Sequence, residues 1–145
     1  MKRNYFNTLL FVSAITGLMS CNVEPKSILP GKYNCDFCKM TVSDGRFACE
    51  ILTTKGKVFI FDDLHCMAGF VKANTIPLKE IKEFYVSDFT GDHNLIKTKE
   101  SFLFRSEELH SPMNGNTAAF SDNATMKILM QQFKGEPVVF TNLLK

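Results

Sequence analysis

The chain has 145 residues, with 17 Lys and Arg against 15 Asp and Glu and a formal net charge of +2. That length allows one domain with a modest core, or two very small units sharing an interface. There is no basic cluster, which argues against a nucleic-acid binder, and no Gly-rich phosphate loop or Ser/His/Asp order of the kind that marks nucleotide or acyl-transfer chemistry.

The chain opens Met-Lys-Arg and runs into a mostly apolar stretch, Tyr5–Met19, too short to span a bilayer and laid out like a signal peptide over residues 1–20. The stretch closes Leu18-Met19-Ser20-Cys21, which resembles a bacterial lipobox, cut before a Cys whose thiol is then acylated. The plainer alternative is an ordinary signal peptide ending at an incidental Cys. Acyl chains contribute about 0.8 kcal/mol per buried CH₂, so two or more on Cys21 would hold the protein stably at a membrane. Residues 21–32, with Pro25, Pro30 and Gly31, read as the acylated Cys and a tether. The predicted place is the periplasmic side of the envelope. Asn22 is not the Asp that retains lipoproteins at the inner membrane, which leans the anchor toward the outer one. Without Lys2 and Arg3 the basic and acidic residues are equal in number.

Beyond the tether, Cys35-Asp-Phe-Cys38-Lys-Met40 places three sulfur side chains within six residues. A CxxC by itself fits half a zinc site, a redox pair or a disulfide. A thioether two residues on favours a soft ion, above all Cu(I). Phe47–Leu52 alternates as a strand with Phe47, Cys49 and Ile51 on one face, and a hairpin at Thr54-Lys55-Gly56 leads into a second strand, Lys57–Phe61. Asp62 or Asp63 caps a helix whose stripe is Leu64, Met67, Ala68 and Val71. Pro77 lies past its end, Glu83–Phe89 is a third strand, and Gly91-Asp92-His93-Asn94 is a turn.

The second half repeats this plan. Ser101–Arg105 is a strand, followed by a loop through Pro112, Asn114 and Gly115 and a short strand, Thr117–Phe120. Ser121 or Asp122 caps a helix with Met126, Leu129, Met130 and Phe133 on one stripe. Gly135 and Pro137 end it, and Val138–Thr141 is the last strand. Phe61, Asp63 and Met67 align with Phe120, Asp122 and Met126. The expected fold is therefore α+β: two small ββαβ-type units with antiparallel sheets, residues 33–90 and 91–145, each sheet packed with one helix. Met67, Met126 and Met130 fall on apolar stripes and read as packing residues.

Four cysteines remain once Cys21 is acylated. Cys66 sits in the first helical turn, where the macrodipole and free N–H groups are expected to lower its pKa. It faces away from its own helix stripe, toward the preceding loop or the other unit. It reads equally as a thiolate ligand or as a disulfide partner of Cys35 or Cys38, and oxidation would then block metal binding. Cys49 reads as a buried inert thiol, His65 as solvated and His93 as a turn residue. His110 and Met113 share one loop, where imidazole and thioether could complete a soft site. The alternative is a lone exposed histidine.

Taken in order, lipobox Cys21, Cys35-Asp-Phe-Cys38-Lys-Met40, Phe61-Asp62-Asp63 leading to Cys66-Met67, and Ser111-Pro112-Met113 ahead of Ala119-Phe120 resemble the NosL family over about residues 33–141. The resemblance implies a copper chaperone rather than an enzyme. It implies one Cu(I) as cargo, delivery to the copper centres of nitrous oxide reductase, and a NosDFY-type transporter complex as docking partner. Carried over by motif, the ligand candidates are Cys35, Cys38, Met40, Cys66 and Met113, with His110 beside them. Two positions depart from the family pattern: Lys39 stands where Gly is frequent, and Asn114 precedes the expected Gly. The competing reading is a lipoprotein held by structural zinc or disulfides that acts as a protein-interaction module.

Overall fold

The computed structural model describes Pro25 and residues 27–145. The signal peptide, Cys21 and most of the tether lie outside the described residues. Strand β1 (Cys49–Thr53) pairs antiparallel with β2 (Val58–Phe61). Helix α1 (Leu64–Lys72) follows, then β3 (Ile81–Ser87) and β4 (Leu95–Lys97), giving a sheet ordered β2-β1-β3-β4. The second half contains β5 (Phe102–Arg105), β6 (Thr117–Phe120), α2 (Asn123–Met130), β7 (Glu136–Val138) and α3 (Phe140–Leu143), with a sheet ordered β6-β5-β7. In each half the first strand is central, flanked by its hairpin partner and by the strand that returns after the helix. Both sheets are antiparallel, so the α+β reading with two ββαβ units holds. No helix among the described residues is long and apolar enough to cross a membrane.

The register explains the core. Cys49 pairs with Phe61 and Val86, and Ile51 pairs with Phe59 and Phe84, so these six share one face. That face packs with Leu64, Met67, Phe70 and Val71 of α1, the stripe expected from the sequence except that Phe70 takes the place of Ala68. Strand β1 is nevertheless buried along its whole length. Its second face is covered by the chain before it: Ile28, Val42 and Ala48 form a small cluster with Ile60 and Leu95. The described end of the segment read as a tether lies here, with Gly31 N–H donating to Val42 O at 2.9 Å.

The two units share their cores. Leu103 and Ala119 of the second half belong to the α1 cluster, while Phe47 of the first joins Phe104, Phe120 and Met126. Phe47 therefore leaves the strand expected at 47–52, which starts at Cys49, and meets Phe89 edge-on at 5.4 Å. The expected strand at Val138–Thr141 is also corrected: β7 ends at Val138 and Phe140–Leu143 is helical. Phe140 packs on Phe84 at 5.0 Å, and Leu143 and Leu144 rest on the α1 cluster. Packing across the interface overrides a local β-branched run. Pro137 is accommodated because β7 is an edge strand. Strand β4 is three residues long, too short to show alternation.

Glu50 sits on the covered face of β1 opposite Ile60 and Tyr85 and is 5% exposed. Desolvation raises its carboxyl from 4.5 to about 6. The folded chain therefore holds this proton over a window in which the unfolded chain releases it. Stability from this group is complete below the unfolded value and is lost as the pH rises through about 6. Urea unfolding from pH 4.5 to 7 should show Glu50→Gln escaping a loss of about 1 kcal/mol that the native chain suffers.

Candidate metal centre

The CxxC loop is fixed by its own backbone and by a sheet edge. Cys35 N–H donates to Met40 O at 2.8 Å and Lys39 N–H to Cys35 O at 2.9 Å, closing the loop on itself. This turn requires Lys39 at φ 67°, the left-handed region where glycine carries no steric cost. Strand β2 lies at the edge of its sheet, and Asp36 takes up its free groups. Asp36 N–H donates to Ile60 O at 2.8 Å, and Ile60 N–H donates to Asp36 Oδ2 at 2.8 Å. The ring of Phe37 then lies against α1 at Gly69, where an added Cβ would come within 2.6 Å of it.

Asp63 fixes the opposite side. It is the N-cap of α1, 1% exposed, with Oδ1 accepting from Cys66 N–H at 3.1 Å. Its Oδ2 accepts from Ser111 Oγ–H at 2.7 Å, Met113 N–H at 3.2 Å and Gly115 N–H at 3.1 Å. One carboxylate thus ties the first turn of the helix carrying Cys66 to the loop carrying Met113. That loop is closed again by Ser111 N–H to Asn116 Oδ1 at 2.9 Å and Asn116 N–H to Ser111 Oγ at 2.7 Å. His110, Asn114 and Asn116 all have positive φ. Gly115 has no space for a side chain, since a Cβ would lie 2.9 Å from Asp63 Oδ2.

Between these supports the Cys35, Cys38 and Cys66 sulfurs lie within 4.8 Å of one another. Cys35 and Cys66 are fully buried and Cys38 is half-buried. A soft ion at about 2.3 Å from three thiolates would need sulfurs about 4 Å apart, so the trio is close to a closed trigonal arrangement. The charge rests on Cys35. Its pKa falls to about 5, chiefly through a hydrogen bond from the Cys66 thiol, with support from the N–H groups of Cys38, Asp62 and Phe37 and against the effect of burial. The same hydrogen bond and burial push the Cys66 thiol up, and desolvation raises Cys38. The expectation of a lowered Cys66 pKa is therefore corrected: its N–H is already committed to Asp63, and Cys35 holds the negative charge that the helix end was expected to place on Cys66.

The remaining candidates separate. Met113 is partly buried and packs on the cluster containing Cys35 and Cys66. Met40 is 51% exposed; its N–H supports the Cys38 sulfur while its thioether faces solvent. His110 is exposed and does not belong to the close group formed by the three thiols. Cys49 is the buried thiol expected, donating to Phe47 O at 3.1 Å. In the sequence Asp36 and Ser111 stood out only as motif members, and Gly69 and Asn116 not at all. Asp36, Gly69 and Ser111 act through contacts distant in sequence, and Asn116 through its own loop; only a glycine inside a helix hinted at a close approach. A groove of about 550 Å³ opens beside the cluster, between Phe37, His65 and Gly69 on one side and Asn114 and Gly115 on the other.

The NosL family model matches residues 26–145. No curated relative matches the chain. The crystal structure of the copper chaperone NosL from Shewanella denitrificans is similar with a TM-score of 0.63 and 17% identity, over 81% of this chain and 96% of that one. At that identity the likeness shows a shared fold.

Because Asp63 serves four donors, Asp63→Asn should destabilise the metal-free protein by about 2–4 kcal/mol, and Ser111→Ala by about 1–2 kcal/mol. Chemical denaturation of both variants checks this ordering.

Proposed function

The chain belongs to the NosL family, and from that premise we propose that it is a carrier of a single Cu(I), not an enzyme, supplying the copper centres of nitrous oxide reductase. The observation that carries this reading is the trio of free thiols within 4.8 Å, two of them sealed from water and one reaching the surface. Thiolates select Cu(I) by softness. Burial at Cys35 and Cys66 protects the ion from water and oxidant, and the backbone N–H groups of Phe37, Cys38 and Asp62 support the charge on Cys35.

A carrier must also release its ion. The half-buried Cys38 and the exposed Met40 form the open side, where an acceptor's ligands can enter one at a time. Met113, partly buried against the cluster, offers a neutral fourth sulfur. In this reading Cys35, Cys38 and Cys66 are the resident ligands, Met113 a weaker one, Met40 an exit ligand, and His110 takes no part in the resting site. The family implies a NosDFY-type transporter complex as partner, and an acylated Cys21 would keep the carrier at the periplasmic face of a membrane. The zinc alternative is weaker. A tetrahedral site needs a fourth donor, and among the described residues no His, Asp or Glu joins the three thiols.

Anaerobic titration of the reduced protein against a Cu(I) chelator should give one Cu(I) per chain. Cys35→Ser and Cys66→Ser should each lower affinity by more than about 100-fold, the upper range for losing a group that merely orients a ligand. Retention of zinc with refusal of copper would overturn the proposal. Met113→Ile should weaken binding by about 10-fold, while Met40→Ile should leave affinity within about threefold and slow transfer to an acceptor peptide. X-ray absorption of the loaded protein should count two or three short Cu–S bonds, with no nitrogen from His110.

A further inference from the structure

We propose that the same three thiols form a disulfide relay in which Cys38 is the exchange-active thiol and a Cys35–Cys66 disulfide is the closed state. The relay stands on the thiols alone. Only its consequence, that the closed state refuses copper, rests on the Cu(I) reading above.

The argument is one of access and contact. Cys35 and Cys66 are 0% exposed, so an external disulfide or dithiol reaches them only when the loop opens. Cys38 is half-buried, and its loop shows two large apolar side chains to solvent, Phe37 at 41% and Met40 at 51% exposure. An exchange partner therefore meets Cys38 first, on an apolar rim. Behind it, Cys35 and Cys66 place two fully buried sulfurs within 4.8 Å of each other. Cys49 has no such neighbour and spends its thiol on Phe47 O.

The steps balance. A partner disulfide is attacked by the Cys38 thiolate, which bonds one partner sulfur and expels the other as a thiolate. Cys35 then attacks the Cys38 sulfur, forming Cys35–Cys38 and releasing the second partner thiolate. Cys66 gives its proton to a departing thiolate, attacks the Cys35 sulfur and frees Cys38. In sum, Cys35 and Cys66 lose two electrons to the partner disulfide, which leaves as one thiol, protonated by Cys66, and one thiolate carrying the charge that Cys35 held, while Cys38 ends as the thiolate it began as. The reverse sequence, driven by a dithiol, reopens the site. Disulfides persist outside the inner membrane, so the carrier would need a protein dithiol reductant to remain competent for its cargo.

The test uses the metal-free protein exposed to glutathione disulfide and then to a dithiol, with acid quenching, alkylation and peptide mapping. The native chain should end with Cys35 and Cys66 joined and Cys38 and Cys49 free. Cys38→Ser should reach the same disulfide, but form and lose it at least about 10-fold more slowly, since exchange rate follows access to the attacking thiol. Cys49→Ser should match the native rates. Equal rates for Cys38→Ser, or a final disulfide at Cys35–Cys38, would overturn the relay. In a separate arm, the oxidised protein should fail to take up Cu(I) that the reduced protein binds. If the reduced protein also fails, the copper reading falls while the mapping still decides the relay.

Discussion

A single buried carboxylate organises this molecule. Among the described residues no cation pairs with Asp63, yet it is almost wholly withdrawn from water. Burying such a charge is costly unless hydrogen bonds replace its hydration, and here four donors do so. One comes from its own helix, and the other three come from a loop about fifty residues away. Its hydration is thus fully replaced only when the two halves meet correctly. Cys66 and the Met113 loop are brought to the same place by the requirement that Asp63 not be left unpaired.

The second support is the sheet edge. Strand β2 would expose unpaired backbone groups, and Asp36 satisfies them while anchoring the loop that carries Cys35 and Cys38. Sheet protection and ligand placement are one interaction. The backbone N–H groups that line the loop then favour negative charge at Cys35, at the centre of the trio rather than at the helix end. The result is a site with a deep side, where sulfur is shielded, and a shallow side, where Cys38 and Met40 meet solvent. The proposed holding and release of a soft ion rest on that asymmetry.

Much of the fold was legible along the chain. The hairpin, both helix caps, both stripes and the doubled ββαβ plan follow from residue periodicity and from Asp63 and Asp122, each of which accepts from the third residue beyond it. Three features were not. Strand β4 is too short to carry a pattern. Phe47 looks like a strand residue but is claimed by the other unit's core. Phe140–Leu143 carries a β-like run, but its Phe140 gains more by stacking on Phe84. In each case a contact from elsewhere in the molecule outweighs a weak local preference.

The site divides in the same way. By itself the sequence offered the chemistry: three sulfurs in six residues, a further Cys at a capped helix start and a Met in a polar loop are the donor atoms on which the proposed soft-metal reading rests. Tertiary structure alone decided which of these side chains meet. It drew Cys35, Cys38 and Cys66 within 4.8 Å, left Met40 in solvent and His110 outside the group. The physical reason is that residue type sets which atoms can bind a metal, whereas the distance between sulfurs thirty residues apart depends on hydrogen bonds at Asp36 and Asp63 whose partners are distant in the chain. Spacing along a sequence carries no record of those partners until the chain has folded.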